Sequence, residues 1–193
     1  MSTASTADKM RAAAEVAGLL SEDGRVHLQR PIRNVLRNVD LSIVDFYGAT
    51  FSGTRFINCP APGATFTDCK FDACFFAAEG TGLASLRGAK FINCSLTGTD
   101  FGAARLDLRE IEFEHTLLRN CTFRFGRLAQ ARFHSCYLDY VMLRAADLDG
   151  VSFAGSILKK VCFERTDLSA VSFENVTFQQ ADFWGRLNIP DFN

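Results

Sequence analysis

A period of five runs through most of this chain. Leu36, Leu41, Phe46, Phe51, Phe56, Phe66, Phe71, Phe76, Leu86, Phe91, Leu96, Phe101 and Leu106 share one register, broken only by Ala61 and Thr81. A second register holds Phe113, Leu118, Phe123, Leu128, Phe133, Leu138, Leu143, Leu148, Phe153, Leu158, Phe163, Leu168, Phe173, Phe178 and Phe183, and no position in it fails. The step from Phe101 to Phe113 is two residues longer than whole repeats allow, which predicts a two-residue insertion near 107–112. An internal repeat of this kind decides the fold before local propensity does, because each unit buries its apolar face only against its neighbours.

Two positions before each centre the residue is small or β-branched, as at Val39, Ala49, Ala64, Ala131, Val141, Val151 and Val171. Two inward positions separated by two residues match extended backbone, whereas a helix needs spacings of three and four. The remaining three positions are rich in Asp, Asn, Ser, Thr, Arg and Gly, as a solvated side with a corner requires. The chain has 19 Phe, and 16 of them are repeat centres, leaving Phe75, Phe125 and Phe192 outside the pattern.

Units such as Ala146-Asp147-Leu148-Asp149-Gly150, Thr166-Asp167-Leu168-Ser169-Ala170 and Ala181-Asp182-Phe183-Trp184-Gly185 resemble the A-[DN]-[LF]-x-x unit of the pentapeptide-repeat family. The resemblance covers about residues 36–185. It implies an all-β, right-handed quadrilateral β-helix, with four pentapeptides and 20 residues per coil. Taking every fourth centre then predicts a phenylalanine column of Phe51, Phe71, Phe91, Phe113, Phe133, Phe153 and Phe173. The neighbouring column would run Phe46, Phe66, Leu86, Leu106, Leu128, Leu148 and Leu168. With coils about 4.8 Å apart the rod would be roughly 36 Å long. We expect an N-terminal tail and capping helix in 1–34, the repeats in 35–186 and a C-terminal tail in 187–193. The helix itself is read over 8–20, with Met10, Ala13, Ala14, Ala17 and Leu20 on one face and an exit at Asp23-Gly24.

Composition excludes several classes of function. A net charge of −1 argues against a strongly basic nucleic-acid binder. No apolar run reaches the roughly 18 residues of a membrane span, and Glu15 interrupts Ala12–Leu20, so no signal peptide is expected. The 7 Cys lack metal spacing, and six of them, Cys59, Cys69, Cys74, Cys94, Cys121 and Cys136, take the small inward position. Packing thiols in a reducing, cytoplasmic setting are the expectation, with only Cys162 facing solvent and with Cys74 and Cys94 one coil apart. His115 and His134, near Glu112 and Glu114, do not close a tetrahedral shell on a flat side. No catalytic triad, nucleophile elbow or phosphate loop occurs, so no metal, cofactor, small-molecule substrate or enzymatic activity is expected.

Two kinds of surface remain. The acidic sides carry Asp107, Glu110, Asp147, Asp149 and Asp167 on one face and Glu112, Glu114 and Glu174 on the next. Outward apolar and basic residues gather elsewhere, at Ile57, Phe75, Leu117, Arg119, Tyr137, Tyr140, Ile157, Lys159 and Lys160, and we read these as a partner-binding face. Phe125, Met142 and Trp184 map beside it, while Pro60–Gly63 and Glu79–Gly82 each replace one repeat. The function expected is a protein-binding scaffold, with an unidentified protein or self-association as partner and no direct contact with nucleic acid or membrane. The family resemblance implies an alternative, a DNA mimic that binds DNA gyrase, a type II topoisomerase, and protects it from quinolones or peptide toxins.

Overall fold

The computed structural model describes residues 35–42, 44–80, 84–102 and 106–181. The expected helix at 8–20 and the tail at 187–193 lie outside the described residues. Within them the chain forms 15 strands of three residues each, and no helix. Every pairing is parallel, because each strand meets its counterpart one coil later. A three-stranded sheet joins Val35–Arg37, Arg55–Ile57 and Phe75–Ala77. A five-stranded sheet joins Asp45–Tyr47, Thr65–Thr67, Lys90–Ile92, Glu112–Glu114 and Arg132–His134. A seven-stranded sheet runs from Thr50–Ser52 through Lys70–Asp72, Ser95–Thr97, Leu117–Arg119, Tyr137–Asp139 and Ile157–Lys159 to Thr177–Gln179. The fourth side is built from isolated bridges, Ser85 to Asp107, Asp107 to Arg127 and Arg127 to Asp147. The molecule is an all-β, four-sided parallel β-helix of about seven coils.

The register corrects two expectations. Thr50 pairs with Lys70, but Lys70 pairs with Ser95, so five extra residues enter between Ala77 and Ala84. Asp100 bridges Thr122 and Ser85 bridges Asp107, which puts the two-residue insertion between Gly102 and Leu106, before the predicted 107–112. Leu108 is the centre that follows Phe101, and Leu106 takes the smaller inward position of Ala84. Both insertions emerge at the same corner.

The columns change accordingly. One side stacks Phe46, Phe66, Phe91, Phe113, Phe133, Phe153 and Phe173, so Phe46 and Phe66 stand where Phe51 and Phe71 were predicted. Their rings lie 4.8 to 5.6 Å apart and within about 22° of parallel. Phe101 and Phe123 meet this column edge to face, at 6.2 Å from Phe113 and 5.8 Å from Phe133. The bridged side stacks Leu86, Leu108, Leu128 and Leu148 and carries no ring. Each enclosed Phe contributes about 2 to 3 kcal/mol of transfer free energy, and each ring pair adds about 0.5 to 1.5.

Inward corner residues follow a second rule. In the bridged turns the centre's carbonyl accepts the amide three residues on, as Leu108 from Ile111 (3.2 Å) and Leu128 from Ala131 (2.8 Å). The inward residue stacked above is then apolar in most coils, as Ala131 over the Leu108 turn and Val151 over the Leu128 turn, with Thr166 over the Leu143 turn the exception. In a strand the centre makes no such bond and its carbonyl keeps an inward lone pair. At eight strands a thiol or hydroxyl from the next coil donates to it, whereas Val141 and Val161 stand over the Leu118 and Leu138 corners and Thr99 Oγ1 is buried without a partner. Thr116 Oγ1 donates to Phe91 O at 2.9 Å, Ser156 Oγ to Phe133 O at 2.7 Å and Cys136 Sγ to Phe113 O at 3.3 Å. Cys59, Cys69, Cys74, Cys94 and Cys121 do the same to Leu36, Phe46, Phe51, Phe66 and Leu96. Thr116 and Ser156 also accept the buried amides of Cys94 and Cys136, at 3.1 and 2.9 Å. All six inward thiols are free and buried, while Cys162 is half-buried. The stacked thiols are Cys69 and Cys94; Cys74 sits on the next corner, because the five-residue insertion shifts the coils.

Two outcomes test this rule. Thr116→Val strips the Cys94 amide of its acceptor and is expected to cost about 1 to 3 kcal/mol in urea unfolding. Val141→Thr, which follows the strand centre Leu118, is expected to lose less than about 0.5 kcal/mol, although a hydroxyl in an ordinary core is costly. Burial also pushes the Cys121 and Cys136 thiols up to about 12 and Cys74 up to about 11. The Cys69 thiol beside Cys94, together with burial, raises Cys94 as well. A thiol that holds its proton more tightly in the fold adds stability below its unfolded pKa of about 9. That stability drains as pH climbs through about 12. The urea midpoint is therefore expected to fall from pH 8 to 11, and Cys121→Val with Cys136→Val should flatten the slope.

Candidate functional site

The seven-stranded sheet presents its outward residues in straight rows, since parallel register puts like positions above one another. Leu117, Tyr137 and Ile157 are direct neighbours on three successive strands and are half-buried. Beside them Arg119, Asp139 and Lys159 form a ladder, with Arg119 Nε 3.6 Å and Lys159 Nζ 3.8 Å from the Asp139 carboxylate. Asp139 is 7% exposed, so a buried anion is held between two cations. At the corner Lys160 donates to the Tyr140 hydroxyl and lies 4.4 Å from its ring centre, and this contact raises the lysine pKa. Seven of the predicted face residues therefore come together here.

Ile57 and Phe75 do not join them. Both lie on the three-stranded sheet, because the five-residue insertion moves every earlier coil one side away from the predicted map. Ile57 is completely shielded from solvent, and Phe75 lies under Arg55, 5.6 Å from its guanidinium.

The acidic residues occupy the two expected sides, but many are neutralised between coils. Glu112 sits between Lys90 (3.2 Å) and Arg132 (2.9 Å), and Glu110 pairs with Arg87. The Arg109 guanidinium beside Asp107, at 2.6 Å, holds that carboxyl below the usual carboxylate range. Glu114 lies 3.7 Å from His115, and Glu174 is exposed three residues before the last strand. Asp147, Asp149 and Asp167 line a shallow groove of about 150 Å³ with Ser169, whose amide lowers the Asp167 pKa. His134 contacts Ser152 at 3.3 Å, and no group of His, Cys, Asp and Glu among the described residues has the arrangement of a metal site.

The corners add a feature to the candidate face, which already includes Tyr140 and has Phe125 beside it. Corner residues adopt positive φ; about half are Gly or Asn, as at Gly53, Gly98 and Asn120, and the rest are mostly small or polar. Phe125 (φ 58°) and Tyr140 (φ 54°) break that preference, and they are 65% and 50% exposed. Bulky side chains are uncommon in this region and cost of order 1 to 3 kcal/mol there. The signal was readable two positions after each centre, where Phe125 and Tyr140 are the only Phe or Tyr among the described positive-φ corners.

Comparison with known proteins agrees with this geometry. The family model described as pentapeptide repeats matches eight copies, over residues 84–108, 116–153 and 146–185. No curated protein matches the chain. Among solved structures, full-length QnrB1, a plasmid-mediated fluoroquinolone resistance protein, is 19% identical over 82% of this chain and 94% of its own, with a TM-score of 0.33. HetL, a pentapeptide repeat protein involved in heterocyst differentiation regulation from the cyanobacterium Nostoc sp. strain PCC 7120, is 16% identical over 99% of both chains, with a TM-score of 0.32. Rfr23, a pentapeptide repeat protein from the cyanobacterium Cyanothece 51142, is 13% identical over 78% of this chain and 90% of its own, with a TM-score of 0.21. With eight repeats matched within the stacked coils, the chain belongs to the pentapeptide-repeat family.

Proposed function

We propose that this protein is a non-enzymatic scaffold that binds another protein through the outer face of its seven-stranded sheet. The observation that carries this reading is the row of Leu117, Tyr137 and Ile157, in direct register and bordered by the Arg119, Asp139 and Lys159 ladder. A solvated sheet face gains nothing from aligned apolar residues, whereas a partner that covers them gains their burial. A filled core supports binding on the outside of the rod rather than in a cleft. Seven free thiols favour a reducing, cytoplasmic location.

The DNA-mimic alternative is less well supported. Duplex DNA carries a charge about every 1.7 Å along its axis, while Glu112, Asp107 and Glu110 are already paired with cations of this chain. Purified gyrase is accordingly expected to supercoil DNA at its normal rate with micromolar protein present, with or without a fluoroquinolone. The face itself is tested by Tyr137→Glu with Ile157→Glu, expected to abolish partner association while the circular dichroism spectrum stays unchanged. Normal association by that variant would assign binding to another part of the rod.

A further inference from the structure

Next to the proposed face lies a side with a different character. Its outward rows in the last coils are Thr122, Met142 and Cys162, then Arg124, Arg144 and Glu164. Tyr140 and Lys160 stand at one corner of this strip, Phe125 and Arg165 at the other, all four at positive φ. The strip thus carries large side chains at corners where the backbone favours glycine, with Ala145 between Phe125 and Arg165, and its floor holds Met142, 48% exposed. Among the described residues its charges are unbalanced. Arg144 and Arg165 share the single carboxylate of Glu164, at 3.3 and 3.5 Å. Arg124 has no ion pair among the described residues and leans on the Phe125 ring at 5.9 Å. The Nε atoms of Arg124 and Arg144 are both buried without a hydrogen-bond partner.

We infer that this strip is a docking site for a protein segment that presents a carboxylate beside an apolar or aromatic side chain. The inference rests on the scaffold reading and names its partner's chemistry. Two guanidinium groups stacked one coil apart offer forked donors to an incoming Asp or Glu, and Phe125, Tyr140 and Met142 cover the adjoining apolar group. A second copy of this chain does not fit. Its basic sides repel one another, and its acidic sides lack a matching apolar row. A nucleic acid fits poorly, since Glu164 lies among the arginines and Met142 occupies the middle of the strip.

The full chain, immobilised, can be panned against phage-displayed random peptides. Enriched peptides are expected to pair Asp or Glu with an apolar neighbour, and to bind Arg124→Glu with Arg144→Glu at least about tenfold more weakly. Phe125→Gly with Tyr140→Gly should weaken them as well without lowering the unfolding midpoint, because glycine is at ease at positive φ. A mere folding defect would move both readouts together. Neutral or basic peptides, acidic peptides indifferent to both variants, or a short DNA duplex held more tightly through the same arginines would overturn the inference. Peptides lost only by Tyr137→Glu with Ile157→Glu would leave the scaffold reading standing and remove the strip. Peptides indifferent to every variant would remove both.

Discussion

The parallel ladder sets one distance for everything else in this rod. Adjacent strands must lie about 4.8 Å apart, and that spacing is close to the separation at which aromatic rings stack with an offset. A column of phenylalanines can therefore fill the interior without gaps, ring upon ring, at 4.8 to 5.6 Å. The same spacing brings like outward positions into contact, so a charge in one coil is answered or repelled by the next. Lys90, Glu112 and Arg132 alternate in sign, as do Arg119, Asp139 and Lys159. Interior order and surface order thus have one cause.

Four corners per coil add a second demand, since each bend leaves backbone groups that the ladder does not satisfy in the same way. Where the turn closes on its own amide, the inward corner residue is in most coils a hydrocarbon. At eight strands where it does not, a hydroxyl or thiol from the next coil reaches the carbonyl. This accounts for an otherwise odd abundance of cysteine in an interior with no disulfide and no metal-binding group among the described residues. A thiol is small enough for the corner, apolar enough to be buried and still a weak donor.

Sequence periodicity made the fold, the inward positions and the buried cysteines legible, because both inward positions repeat with the strand geometry. It could not show which coil each repeat belongs to. An insertion of five residues equals the period, so the segment between Ala77 and Ala84 keeps every centre in step while moving earlier coils one side around. Leu106 and Leu108 are both leucine and two residues apart, so either could serve as centre; only the bridge between Ser85 and Asp107 separates them. Seven face residues were placed together correctly because they all follow both insertions. Ile57 and Phe75 precede them, and their assignment failed for that reason alone.

A rod with uniform corners would offer a partner four similar surfaces. This one departs from uniformity on adjacent sides of its last coils. The apolar row on the seven-stranded sheet and the arginine strip meet at the corner of Tyr140 and Lys160, so a single partner could touch both. Aromatic residues at positive φ are disfavoured by the backbone and gain little from packing while exposed. Phe125 and Tyr140 nonetheless stand there, and among the described residues the contacts of their rings are with Arg124 and Lys160. The stability forgone at those two corners is most simply recovered when another molecule covers them.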